Sequence, residues 1–138
     1  MTAPALFQQT IRVYWEDTDG GGVVLYANYL KFFERARTEW LRSLGLQQRA
    51  LRESTGAIFI VSEAQLRYLA PARLNDEIGV TVRTVQLGRA SMQLAQQARC
   101  GPRLLAEGEF RIGCVDQETF KPRRIPSALN SRLGECLP

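Results

Sequence analysis

The stretch Glu16-Asp17-Thr18-Asp19-Gly20-Gly21-Gly22-Val23-Val24-Leu25-Tyr26-Ala27-Asn28-Tyr29 packs three carboxylates, three consecutive glycines and a helix start into fourteen residues. Glycines let a backbone turn tightly and approach a ligand closely. A helix N-terminus presents unpaired N–H groups and partial positive charge. A carboxylate delivered beside such an end can do chemistry, and the flanking sequence decides which chemistry is open to it.

Upstream, residues 7–15 read as a strand, with Phe7, Ile11, Val13 and Trp15 on one side at period two. Downstream, Asn28 reads as an N-cap. Tyr29, Phe32, Phe33, Ala36, Trp40, Leu41 and Leu44 then recur at three- and four-residue spacing, with Glu34, Arg37 and Glu39 among the residues between them. This predicts an amphipathic helix of about four turns, closed by Gly45. A short helix follows over 47–54. The remainder reads as strand. Over 57–70, Ile58, Ile60, Ala64, Leu66, Tyr68 and Ala70 take even positions. Over 77–87 the apolar phase switches between Val82 and Val85, which predicts a bulge. Strands at 91–100 and 103–116 are separated by Gly101-Pro102, the second with Leu104, Ala106, Gly108, Phe110, Ile112 and Cys114 alternating. The tail from 127 to 138 has mixed polarity and reads as mobile.

The order is strand, long helix, then four strands: one α+β domain over 1–138, its core about 7–126, with a mostly antiparallel sheet wrapped around the helix. A single layer on a single helix leaves edges and one sheet face to be covered, which predicts a homodimer or homotetramer.

Composition narrows the chemistry. The chain of 138 residues has no histidine, which removes Ser-His-Asp and Cys-His systems, imidazole bases and the commonest transition-metal ligand. Catalysis would run on carboxylate, backbone N–H, hydroxyl or water, with no metal and no cofactor. Three cysteines, Cys100, Cys114 and Cys136, form no C-x-x-C pair and read as reduced thiols in a cytoplasm. No window approaches the roughly eighteen apolar residues of a membrane span, and the N-terminus has no signal-peptide pattern. The net charge of +4 is spread along the chain apart from Lys121-Pro122-Arg123-Arg124. That balance suits an anionic small molecule, and no aromatic-basic interleaving points to nucleic acid.

Several motifs fail on the glycine loop. Asp17-Thr18-Asp19 lacks the glycine of a D-T-G protease triplet. As a calcium loop it has Gly21 at the fifth position and Asn28 where a bidentate Glu belongs. A phosphate loop would need a lysine-serine spacing that is absent. The whole run from Glu16 to Tyr29, continued by Phe33-Glu-Arg-Ala-Arg-Thr-Glu39, closely resembles the signature of the 4-hydroxybenzoyl-CoA thioesterase family of hotdog-fold enzymes. Tyr68-Leu-Ala-Pro-Ala-Arg-Leu-Asn-Asp76 and Lys121-Pro-Arg-Arg-Ile-Pro126 resemble the acyl-CoA thioesterases associated with the bacterial Tol–Pal system. The resemblance covers about residues 8–126.

The resemblance implies a hotdog fold and hydrolysis of a short-chain or aromatic acyl-CoA, with an acyl carrier protein thioester as alternative donor. It places the catalytic carboxylate on Asp19, as nucleophile or as base toward water. It places the carbonyl-polarising backbone N–H on Tyr26, and Gly22 and Val23 beside the substrate. It puts Arg89 and Arg123 where CoA phosphates are contacted. Asp17 reads as scaffold, Glu34 as a reserve carboxylate and Asp76 as part of a turn. One departure stands out: the Tol–Pal subgroup often carries histidine where this chain has Tyr26. The competing reading is a non-catalytic hotdog module that binds acyl-CoA, an acyl carrier protein or a protein partner. A hotdog dehydratase normally needs the histidine that is missing.

Overall fold

The structure, a computed structural model, describes residues 6–135. The N-terminal reading over residues 1–5 and that of Cys136 fall outside the described residues. The elements run β1 (Phe7–Arg12), a single 3-10 turn (Trp15–Asp17), α1 (Asn28–Ser43), α2 (Gln48–Thr55), β2 (Ala57–Tyr68), β3 (Glu77–Leu87), β4 (Ser91–Cys100), β5 (Arg103–Asp116) and α3 (Ser127–Glu135). The five strands form one sheet in the order β1-β3-β4-β5-β2, every pair antiparallel. The sheet curls around α1, the hotdog arrangement that the sequence leads one to expect.

Helix α1 buries the stripe its spacing dictates: Tyr29, Phe32, Phe33, Ala36, Trp40 and Leu41 all lie in the core. Full burial of a Phe-sized side chain contributes about 1.5–3 kcal/mol, so Phe32 and Phe33 alone bind the helix firmly to the sheet. Gly45 closes the helix at φ 88, a left-handed conformation that suits glycine.

A polar lock joins helix and sheet inside this core. Arg37 is only 9% exposed, and one guanidinium N–H donates to Gln96 Oε1 at 2.9 Å. Gln96 in turn donates to the Phe33 carbonyl at 3.0 Å, and the guanidinium carbon sits 4.5 Å from the centre of the Phe110 ring. Burial lowers the Arg37 pKa, and the nearby Glu34 charge partly offsets that. The charge stays in place because Gln96 and the ring face substitute for water.

Four expectations change. The first strand stops at Arg12, where its partner β3 begins at Glu77. The chain then turns, because the Asp17 carboxylate takes the Tyr14 N–H at 2.8 Å, and Trp15 ends 79% exposed instead of inside. In β2 the register shifts between Val61 and Glu63. Ala57 and Phe59 pack inward before that bulge and Leu66 after it, so Ile58 and Ile60 do not share the core face. The tail is a docked helix: α3 buries Leu129 and Leu133, and Arg132 donates to the Leu44 carbonyl at the end of α1. The bulge expected in β3 does occur, between Thr84 and Gln86. A further one sets Leu105 beside Ala106 as consecutive core residues and leaves Leu104 half-buried.

Gln96→Leu should lower stability by about 2–3 kcal/mol in urea denaturation, because it strands a buried guanidinium. The double variant Arg37→Met/Gln96→Leu should recover most of that loss, since neither buried polar group then lacks its partner. A double variant as unstable as the single one would contradict this account of the lock.

Candidate active site

The glycine stretch folds as a tight hairpin leading into α1. Asp19 N–H donates to the Val23 carbonyl at 2.9 Å, Gly22 N–H to the Asp19 carbonyl at 3.3 Å, and Thr18 bridges Val24. Gly22 has φ 81, which disfavours any residue with a Cβ. At Gly21 the constraint is different: an added Cβ would lie 3.2 Å from Asp19 Oδ1 and crowd the carboxylate. That same oxygen accepts the Gly21 N–H at 2.7 Å, which orients the group. The Asp19 side chain is exposed, and its second oxygen has no partner among the described residues.

Asp17, two residues earlier, is built differently. It is 5% exposed, its carboxylate holds the Tyr14 N–H, and its carbonyl accepts both Leu25 N–H at 3.0 Å and the Asn28 side-chain amide at 2.8 Å. The expectation that Asn28 caps the helix is therefore corrected. Ala27 occupies the cap position, and the Asn28 side chain points back to tie the helix start to the hairpin.

Tyr26 lies between hairpin and helix. Its carbonyl accepts from Tyr29 N–H at 3.4 Å and from the Tyr68 hydroxyl at 3.0 Å, whereas its own N–H has no partner among the described residues. The segment after β2 clasps this region from outside. Val24 N–H donates to the Ala72 carbonyl at 2.8 Å, Val23 bridges Arg73, and Ala72 N–H donates to the Tyr29 hydroxyl at 3.2 Å. Asp76 closes the clasp as a turn residue, accepting Arg73 N–H at 2.9 Å. Gly22 is exposed and Val23 half-buried on the hairpin itself.

A model of the thioesterase-like superfamily matches residues 13–133. The chain belongs to the thioesterase-like superfamily. It is 40% identical over 125 residues to the acyl-CoA thioester hydrolase YbgC of Escherichia coli O6:H1, a match covering 90% of this chain and 92% of that one. Among solved structures it resembles a probable thioesterase from Bartonella henselae, with TM-score 0.84 and 32% identity over 88% of this chain and all of that one. A 1,4-dihydroxy-2-naphthoyl-CoA thioesterase from Synechocystis shares the fold at TM-score 0.87 and 22% identity, covering 94% of this chain and 96% of the other.

A thioesterase needs a nucleophile or base on one side of a carbonyl and a donor on the other. In this member of the superfamily Asp19, Gly22 and Val23 lie on the hairpin, and Tyr26 lies in the short connection between the hairpin and α1. The two arginines expected with them are separate. Arg123 N–H groups donate to the Thr55 carbonyl and lie 3.4 Å from Asp116, so it braces α2 against the end of β5. Two main-chain bonds from Glu118 and Thr119 hold the Asp116 pKa low, which keeps that brace charged. Arg89 is exposed and lines a groove with Arg124, Ser127 and Asn130. Glu34 is exposed on α1, while Glu39 pairs with Arg42 as a helix-surface ion pair.

Sequence reading placed Asn28 as a cap, Tyr68 in a motif and Arg124 in a basic run, without the contacts that the structure gives the first two. The contacts of the first two span 11 and 42 residues and carry no local signature. In chemical denaturation, Asp17→Ala should cost about 1–2 kcal/mol, because the Tyr14 N–H loses its charged acceptor. Asp19→Asn should change stability by less than about 0.5 kcal/mol, as exposed substitutions usually do. Equal losses would erase the distinction between the two carboxylates.

Proposed function

We propose that the chain hydrolyses the thioester of a short-chain or aromatic acyl-CoA, with Asp19 as the reacting carboxylate and the Tyr26 N–H as the polarising donor. The observation that carries this reading is an exposed carboxylate on the hairpin followed, seven residues later and just before α1, by an N–H without a partner among the described residues. As the carbonyl carbon becomes tetrahedral, its oxygen gains negative charge. A donor already aimed at it, reinforced by the helix end, is worth about 3–4 kcal/mol of barrier. Asp19 either attacks the carbon, giving an anhydride that water then opens, or takes a proton from the attacking water. Both routes break the C–S bond and release the carboxylic acid and CoA thiol.

The phosphates of CoA are assigned to Arg89 and Arg124. These share one open groove, whereas Arg123 is engaged with Thr55 and Asp116. We also read the protein as an oligomer. β2 is a twelve-residue edge strand that pairs only with β5 among the described residues, and it leaves Ile60 and Val61 exposed. A long apolar edge of this kind is usually covered.

A panel of aliphatic and aromatic acyl-CoAs and acyl carrier protein thioesters, read with a thiol-trapping dye, should show turnover. Asp19→Asn should lower kcat by at least about a hundredfold with little change in KM. Undiminished hydrolysis in Asp19→Asn would remove the mechanism. Saturable CoA binding without hydrolysis of any ester would replace the enzyme with a binding module.

Arg89→Ala and Arg124→Ala should each raise KM for CoA esters by roughly five- to tenfold with kcat nearly unchanged, as loss of uniform binding does. Arg123→Ala should instead lower the melting temperature. A KM effect confined to Arg123→Ala would return the phosphate contact to that residue.

A further inference from the structure

The Tyr68 hydroxyl stands out once the site is laid out. Tyr68 is the last residue of β2, held in the sheet opposite Ala106 of β5. Its O–H donates to the Tyr26 carbonyl at 3.0 Å, a tie between the sheet and the start of α1. Its ring meets Tyr26 edge-on at 6.3 Å between centroids and Tyr29 at 5.5 Å. Tyr29 is itself anchored through its hydroxyl to the Ala72 N–H. Burial pushes the pKa values of Tyr68 and Tyr29 above the usual tyrosine range, so Tyr68 remains a proton donor through neutral pH.

Tyr26 needs such a tie. It precedes the helix, it is 67% exposed, and its N–H has no partner among the described residues. Within α1 the only main-chain bond to its carbonyl is the long 3.4 Å contact from Tyr29. The Tyr68 bond is therefore the shorter of the two that hold this residue. Tyr68 is itself 46% exposed, so water could satisfy the Tyr26 carbonyl nearly as well. The hydroxyl thus adds little stability. What water cannot supply is a fixed direction, and direction is what a polarising donor requires.

We propose that Tyr68 is a positioning residue for thioester hydrolysis, its hydroxyl holding Tyr26 so that the Tyr26 N–H faces the carbonyl oxygen of the substrate. This rests on the function proposed above. Tyr68→Phe keeps the ring and removes only the hydroxyl. It should lower kcat by roughly five- to tenfold and leave KM and inhibition by free CoA unchanged. The melting temperature should stay within about 2 °C of the parent.

A second readout does not depend on turnover. Benzoyl-CoA bound to Asp19→Asn should show a thioester carbonyl stretch shifted to lower frequency by Raman difference spectroscopy, and adding Tyr68→Phe should reduce that shift. An active parent whose Tyr68→Phe variant keeps its kcat and its carbonyl shift would overturn this assignment alone. A fall in kcat without any change in the carbonyl shift would overturn it as well, by locating the effect elsewhere. A parent that hydrolyses no thioester would instead defeat the proposed function, and the role of Tyr68 with it.

Discussion

Asp17 is the constraint on which the rest of the site depends. A single buried residue uses its carboxylate to turn the chain out of β1 and its carbonyl to hold both the hairpin exit and the first turn of α1. Without that knot, the glycine loop and the start of α1 would be held only from outside, by the clasp that follows β2. The knot also explains why two acidic residues so close in sequence behave so differently. One is enclosed by donors and acts as a joint, while the other is carried past the joint into solvent, with one oxygen oriented and one open.

How far the sequence could be read depended on whether the deciding contacts were local. The α1 stripe was legible because Phe32, Phe33, Ala36 and Trp40 report a helical period directly, and the structure buries all four. The β3 bulge was legible because an extra residue breaks alternation visibly. In β2 the same device was hidden. The bulge at Ser62 switches the inward face from Phe59 to Leu66, and an even-numbered apolar series disguised the switch. Trp15 misled because alternation says nothing about where a partner strand ends. The tail misled because Leu129 and Leu133, four residues apart, form too short a series to announce a helix that gains its place by docking.

The proposed site divides along the same line. Asp19, Gly22, Val23 and Tyr26 sit in one contiguous motif, so a family resemblance could name them together. Arg123 was taken with them from a second motif, and the structure engages its guanidinium in a brace between α2 and β5. The clasp contributed by Tyr68, Ala72 and Asp76 lies more than forty residues from the loop it holds. Its chemistry is ordinary, a hydroxyl and a few main-chain bonds, and only the folded chain shows that those groups converge on one helix end.

The group assigned to polarise the carbonyl belongs to the backbone of residue 26, and this has an evolutionary consequence. Among the ordinary amino acids only proline lacks that hydrogen, so almost any mutation at this position leaves the donor present. Under the proposed mechanism the side chain there, tyrosine in this chain, is free to change with the acyl group to be recognised. Under that proposal reactivity and selectivity share one position, and a substitution there alters the side chain that meets the substrate without removing the donor.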